Sequence, residues 1–189
     1  AKMRTNVSQP IFGVDVKITD DDNEELPWDG VAFGALKVRG PWICSSYFKL
    51  DGSSAHEEDG WFETGDVATI DSRGNVSITD RTKDVIKSGG EWISSIEIEN
   101  CATGHPQVAE AAVIGRNHPK WGERPLLIIV KSGEDDVSPD ELKGYLDGKI
   151  AKWWMPDDVQ FIEEMTHTAT GKIQKMKLRE MFADYQFPA

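Results

Sequence analysis

"TDRTKDVIKSGGEWISSIEIEN", residues 79–100, sets Lys83 and Lys87, a Gly-Gly pair and a tryptophan between two apolar runs. Paired glycines between short apolar runs mark a tight hairpin, because glycine takes positive φ at no steric cost. A hairpin does not need Arg81, Lys83, Asp84, Lys87 and Glu91 gathered around it. The chain also changes character here. Upstream, residues 11–80 read as short strands. "VDVKIT" and "GALKVRG" alternate apolar with polar residues, and "DVATI" and "VSITD" flank the turn "DSRGN". The turn-rich segments "DDDNEELPWDG" (20–30) and "KLDGSSAHEEDG" (49–60) separate the strands, the acidic cluster 20–25 reading as a solvated turn.

Downstream the pattern is mixed. "IEIENCATGHP" (96–106) predicts a helix stopped by Gly104 and Pro106, and "VAEAAVIG" and "RPLLIIVKS" are apolar runs of strand length. "SPDELKGYLDGKIAKWW" (138–154) opens with a capping box of Ser138 and Glu141, with Pro139 at the first helical position. Its residues Leu142, Leu146, Ile150 and Trp153 recur at helical spacing, which predicts a helix reaching Trp153. "VQFIE" reads as another strand. A final helix is predicted to set Leu178, Met181, Phe182 and Tyr185 on one face. The fold class is α+β, with a β-rich unit over residues 1–82 and a small α+β unit over residues 83–189.

Composition narrows the function. A chain of 189 residues makes one domain of good size or two small ones. With 39% hydrophobic and 29% charged residues, seven tryptophans and seven phenylalanines, it can fill a core and is not a disordered tail. A net charge of −12 argues against a general nucleic-acid binder. No apolar run approaches the roughly 18 residues of a membrane span, and "AKMRTNVSQP" lacks the apolar core of a signal peptide. Cys44 and Cys101 show no CxxC spacing, which fits a reduced, cytoplasmic setting. His56, His105, His118 and His167 have no metal-ligand spacing, so capping or surface roles are expected and no metal site is assigned.

Three segments carry candidate chemistry. In "GWFETGDVA" (60–68), a Thr-Gly-Asp at a strand start can aim Asp66 at paired hydroxyls, as in ribose recognition. The opening stretch can bring backbone close to a ligand at Gly89 and Gly90. "TATGKIQK" (168–175) is a small-residue loop whose Lys172 could offset phosphate or carboxylate charge, though it is not a Walker loop. Taken alone, each also fits an ordinary turn or a solvated helix start.

In order, "GWFETGD", "DRTKDVIKSGGEWISSIEIE", "HPKWGERP" and "TATGKIQK" resemble the C-terminal part of the AMP-forming acyl-CoA synthetases of the adenylate-forming superfamily. "SGGEWISS" is most similar to the branch of fatty acyl-CoA and methylthiopropionate–CoA ligases. The resemblance implies that residues 1–82 end the large adenylation domain and that residues 83–189 form its mobile small C-terminal domain. It implies a carboxylate attacking the α-phosphate of ATP, with Mg2+ as cofactor, and coenzyme A then displacing AMP to give acyl-CoA. Asp66 and Arg81 would hold the nucleotide ribose, Lys83 would be the hinge, with Asp84 beside it, and Lys172 would be the adenylation lysine. Lys87, Gly89, Gly90, Glu91 and Trp92 would form a loop facing the site during thioester formation, with Glu123 near it. The implied partners are a carboxylic acid of short to long chain or methylthiopropionate, the N-terminal portion of the same enzyme, and a second copy in a homodimer.

Thr166 and His167 depart from the resemblance, standing where relatives usually carry a proline and a basic residue. The phosphate loop, the adenine and magnesium motif and the acyl pocket would all precede Ala1, so the chain is expected to be a fragment, inactive alone. Two alternatives stay open: an adenylate-forming enzyme with a carrier-protein or other acceptor, and a non-catalytic nucleotide-binding module.

Overall fold

The computed structural model describes residues 7–47, 56–57, 59–133 and 137–188, so most of the turn segment 49–60 lies outside the described residues. Internal contacts divide the chain into two units, Ala1–Lys83 and Asp84–Ala189.

The first unit is an antiparallel sheet of β1 (Val7–Ser8), β2 (Asp15–Thr19), β3 (Phe33–Arg39), β4 (Phe62–Ile70) and β5 (Val76–Arg81), in the order β1-β5-β4-β3-β2. Alternation sends Ile18, Leu36, Ala68, Ile70 and Val76 to one core cluster. Fully burying such an aliphatic side chain contributes about 1.5–3 kcal/mol. Lys37, on β3, is only 5% exposed, and its ammonium is held by Asn23 and Glu57. That pairing lets a lysine sit inside the sheet, where an unpaired charge would be expelled. The turn between β4 and β5 is built on Asp71, which accepts from the Arg73 and Asn75 amides at 2.9 and 3.0 Å. The Asn75 side chain and then its amide hold the Asp71 carboxyl down to about 2. The acidic turn is ordered the same way: Asp20 accepts from the amides of Asp22 and Glu24 at 3.0 and 2.9 Å.

The second unit is a layered α+β body. Its strands are β6 (Ile86–Ser88), β7 (Glu91–Ile93), β8 (Val108–His118), β9 (Gly122–Lys131) and β10 (Asp158–Phe161), and its helices α1 (Ser95–Ala102), α2 (Pro139–Leu146) and α3 (Lys175–Met181). β9 pairs with β8 and β6 antiparallel and with β10 parallel. On one face Val113, Leu127 and Ile129 meet Ile98 of α1 and Leu142 and Leu146 of α2. On the other, Ala112, Ile114, Leu126 and Ile128 meet Leu178 of α3. Cover on both faces explains why β8 and β9 read as near-continuous apolar runs rather than as alternation.

The helices are shorter than their periodicity predicts. α2 has its capping box, Ser138 N donating to Glu141 Oε2 at 2.8 Å and Glu141 N to Ser138 Oγ at 3.2 Å, but it stops at Leu146. Asp147 leaves the helical region and Gly148 takes φ +71°, both residues being weak helix formers. Ile150 and Trp153 still pack on the core, Trp153 from a short 3-10 turn (Lys152–Trp154). α3 likewise ends at Met181, which is 58% exposed, while Phe182 and Tyr185 pack beyond the helix end. The inward line of α3 runs through Lys175, Leu178 and Phe182, which leaves Met181 at its solvent edge.

Candidate functional site

In the first unit, register builds the site. Asp66 on β4 stands opposite Arg81 on β5, and Arg81 Nη1 lies 2.9 Å from Asp66 Oδ1. Thr64-Gly65-Asp66 falls inside β4, not at a strand start as its sequence implies. Gly65 has φ +74°, and its carbonyl accepts from Thr82 N at 3.0 Å. A glycine in this conformation lets β4 and β5 come together where the Asp66–Arg81 pair forms. The Arg81 side chain is 53% exposed and that of Asp66 24%, so the pair is reachable by a polar ligand.

In the second unit, β6 and β7 form a hairpin whose two-residue turn is Gly89-Gly90, at φ +61° and +86°. Positive φ at both positions suits the right-handed twist of the strands, which is why this turn takes glycines. Lys87 pairs across the strands with Trp92, its ammonium 5.0 Å from the ring. Glu91 is exposed beside the turn. From β9, Glu123 Oε2 accepts from Lys87 N at 3.2 Å. Gly115 makes room for it, since a Cβ there would lie 2.8 Å from the same carboxylate oxygen. Six of the candidates (Lys87, Gly89, Gly90, Glu91, Trp92 and Glu123) are thus gathered on one hairpin and its support.

Lys172 stands on a separate loop of the same unit and is exposed. Thr168 N donates to Lys172 O at 2.8 Å, Lys172 N to Thr168 Oγ1 at 3.1 Å, and Gly171 takes φ +79°. His167 pairs with Glu110 at 2.7 Å and bridges to Ile173, so the segment that departs from the resemblance is fastened on β8. Lys83 closes the first unit and is exposed. Asp84 opens the second, its carboxylate 2.7 Å from Arg179 of α3.

The histidines do local work: His105 Nδ1 accepts from Gln107 N at 3.3 Å, and His118 Nδ1 from Lys120 N at 3.1 Å. Among the described residues no group of three or more His, Cys, Asp or Glu is placed to hold a metal ion. Sequence reasoning missed Arg124, 6% exposed at the start of β9, and its partners Ser88 and Asp157. The signal was present in "ERPLLIIV", where a charge opens a buried strand.

Residues 97–172, from α1 to the candidate lysine, match the model of the AMP-binding enzyme C-terminal domain. That segment is similar to the C-terminal domain of AMP-binding enzymes. Over 97% of its length the chain is 56% identical to a 3-methylmercaptopropionyl-CoA ligase of Ruegeria lacuscaerulensis, covering 34% of that protein. It is 48% identical to a medium-chain-fatty-acid–CoA ligase of Ectopseudomonas oleovorans, over 96% of the chain and 33% of the relative. The ATP-bound crystal structure of MatB from Rhodopseudomonas palustris matches 95% of the chain, and the chain 36% of it, at a TM-score of 0.81 and 34% identity. The chain thus spans about a third of the length of the curated relatives it matches, corresponding to their C-terminal portion. The matched segment is preceded by the hairpin β6–β7 and by the first unit, and the alignment with the Ruegeria ligase extends over 97% of the chain. No helix among the described residues is long and apolar enough to cross a membrane.

Proposed function

We propose that this chain is the C-terminal part of an ATP-dependent, AMP-forming acid–CoA ligase. The observation that carries the reading is the 56% identity to a CoA ligase over 97% of the chain. The geometry supports it, because the candidate groups fall into sets suited to different steps. Asp66, fixed by Arg81, is a preset acceptor for the vicinal hydroxyls of a ribose. Lys172, which closes an ordered loop against Thr168, is a cation suited to a carboxylate approaching the α-phosphate of ATP. The Gly89-Gly90 turn, with Lys87, Glu91 and Trp92, offers a narrow backbone surface past which the pantetheine arm of coenzyme A can reach the acyl-adenylate.

In this reading residues 1–82 close the large domain and residues 83–189 are the small one. Lys83 is the hinge that presents Lys172 for adenylation and then the hairpin for acyl transfer. Asp84, held by Arg179, keeps the start of the small domain fixed to α3. Mg2+ would accompany ATP, and the enzyme is cytoplasmic. The acid is a fatty acid or methylthiopropionate.

The expected result with the full-length enzyme is that free coenzyme A disappears in step with AMP formation, as measured by thiol titration and nucleotide chromatography. AMP formed only with a carrier-bound thiol would instead favour the carrier-protein acceptor. No AMP with any acid from short to long chain would favour a non-catalytic nucleotide-binding module.

A further inference from the structure

The Gly89-Gly90 turn is held from beneath by a buried cation. Arg124 lies at the start of β9, and its guanidinium reaches four residues from two distant parts of the chain. Nε donates to Asp157 Oδ1 at 2.8 Å, Nη1 to Trp153 O at 3.0 Å and to Ser88 Oγ at 3.3 Å, and Nη2 to Met155 O at 3.0 Å. The same group lies 4.5 Å from the centre of the Trp153 ring. Ser88 is fully buried and immediately precedes the turn. Trp121 supports the next residue: its carbonyl accepts from Gly89 N at 2.8 Å, and a Cβ on Gly89 would sit 3.0 Å from its ring. The rings of Trp121 and Trp153 meet edge to face, with centroids 4.9 Å apart.

A purely structural ion pair would need only Arg124 and Asp157, since burying a guanidinium is costly and a carboxylate offsets that cost. The fork does more. It spans β9, the 153–157 segment and the residue leading into the turn, a geometry that a point-charge ammonium cannot reproduce. β6 itself meets β9 at one register pair, Ser88 with Gly122. Buried Ile86 and the pairing with β7 anchor this three-residue strand, and the guanidinium and indole contacts fix its turn end against β9.

We propose that Arg124 is a positioning residue for acyl transfer, acting through Ser88 and Trp121 to fix the Gly89-Gly90 turn where the thiol of coenzyme A must pass. This rests on the proposed function of that turn. A misplacement of about 1 Å can cost up to roughly 10²-fold in rate, so the effect falls on thioester formation and spares adenylate formation, which draws on Lys172.

The test uses the full-length enzyme and measures the two half-reactions separately. Arg124→Lys keeps the charge and loses the fork. It is expected to slow conversion of a supplied acyl-adenylate to thioester by about tenfold or more, with pyrophosphate release within about threefold of wild type. Ser88→Ala removes only the tie to the turn and leaves the other Arg124 bonds in place, so it decides the matter should Arg124→Lys fail to fold. It is expected to slow thioester formation selectively by at least about threefold and to speed hydrogen exchange at the Gly89 amide, with the β8–β9 amides unchanged. Slowing of both half-reactions in equal proportion, or no change in either with Ser88→Ala, would overturn the proposal. Gly90→Trp in the same assay separates the layers of the argument. If it spares thioester formation, the reading of the turn itself falls. If it blocks that step while Ser88→Ala and a folded Arg124→Lys do not, only the positioning role falls.

Discussion

Lys172→Ala in the full-length enzyme is expected to slow formation of the acyl-adenylate by roughly 10²–10³-fold, a loss of about 3–4 kcal/mol in transition-state stabilisation. Adenylation brings a carboxylate up to a polyphosphate, so negative charge concentrates where the new bond forms. A cation there acts most strongly in the transition state. Lys172 is suited to the task because its loop is ordered without its side chain: the bonds of Thr168 and Gly171 are to backbone and hydroxyl groups. The substitution should therefore leave the fold and the melting temperature nearly unchanged. It should also spare conversion of a supplied acyl-adenylate to acyl-CoA. Pyrophosphate release within about threefold of wild type, less than about 0.7 kcal/mol, would make Lys172 an ordinary solvated residue.

Gly90→Trp is expected to give the opposite pattern, with thioester formation down by roughly 10²-fold and adenylate formation within about threefold of wild type. The choice of position follows from the packing. A Cβ at Gly89 would press on Trp121 at 3.0 Å, whereas one at Gly90 meets nothing within 4 Å. A tryptophan at Gly90 therefore projects away from the small unit into the path proposed for pantetheine. Its own cost is that of a non-glycine residue at φ +86°, about 1–2 kcal/mol, too little to unfold a core with two well-filled faces. Stopped-flow mixing of isolated acyl-adenylate with coenzyme A reads the effect directly. Unchanged thioester formation would remove the turn from the proposed reaction.

Local rules were legible in the sequence, and long-range ones less so. The capping box at Ser138 and Glu141, the Asp71 turn and the glycine turn follow from residues within five positions of one another, and all three appear as read. The extent of the helices did not follow from periodicity. Ile150 and Trp153 keep helical spacing, yet Gly148 breaks the backbone between them and the start of α2, and both still reach the same core. Thr64-Gly65-Asp66 looked like a strand start because glycine interrupts the pattern, whereas the glycine is an irregularity inside β4. The candidate site divides the same way. Its residues could be named from motif order, but the pairing of Asp66 with Arg81 depends on strand register, and the support of Lys87 by Glu123 on a contact 36 positions apart. A charge opening a buried strand marked Arg124 itself, but its role was hidden for that reason. Its partners come from Ser88 and from residues 153–157, and no local pattern connects them.

The central claim is that the enzyme containing this chain activates a carboxylate as an acyl-adenylate before transferring it to coenzyme A. The most direct measurement is to supply the full-length enzyme with an acid whose carboxylate oxygens are both heavy-isotope labelled, together with ATP and coenzyme A, and to weigh the products. The account predicts AMP carrying a single labelled oxygen per turnover, unlabelled pyrophosphate, and acyl-CoA keeping the other label. Labelled inorganic phosphate with ADP, or AMP without label, would contradict it.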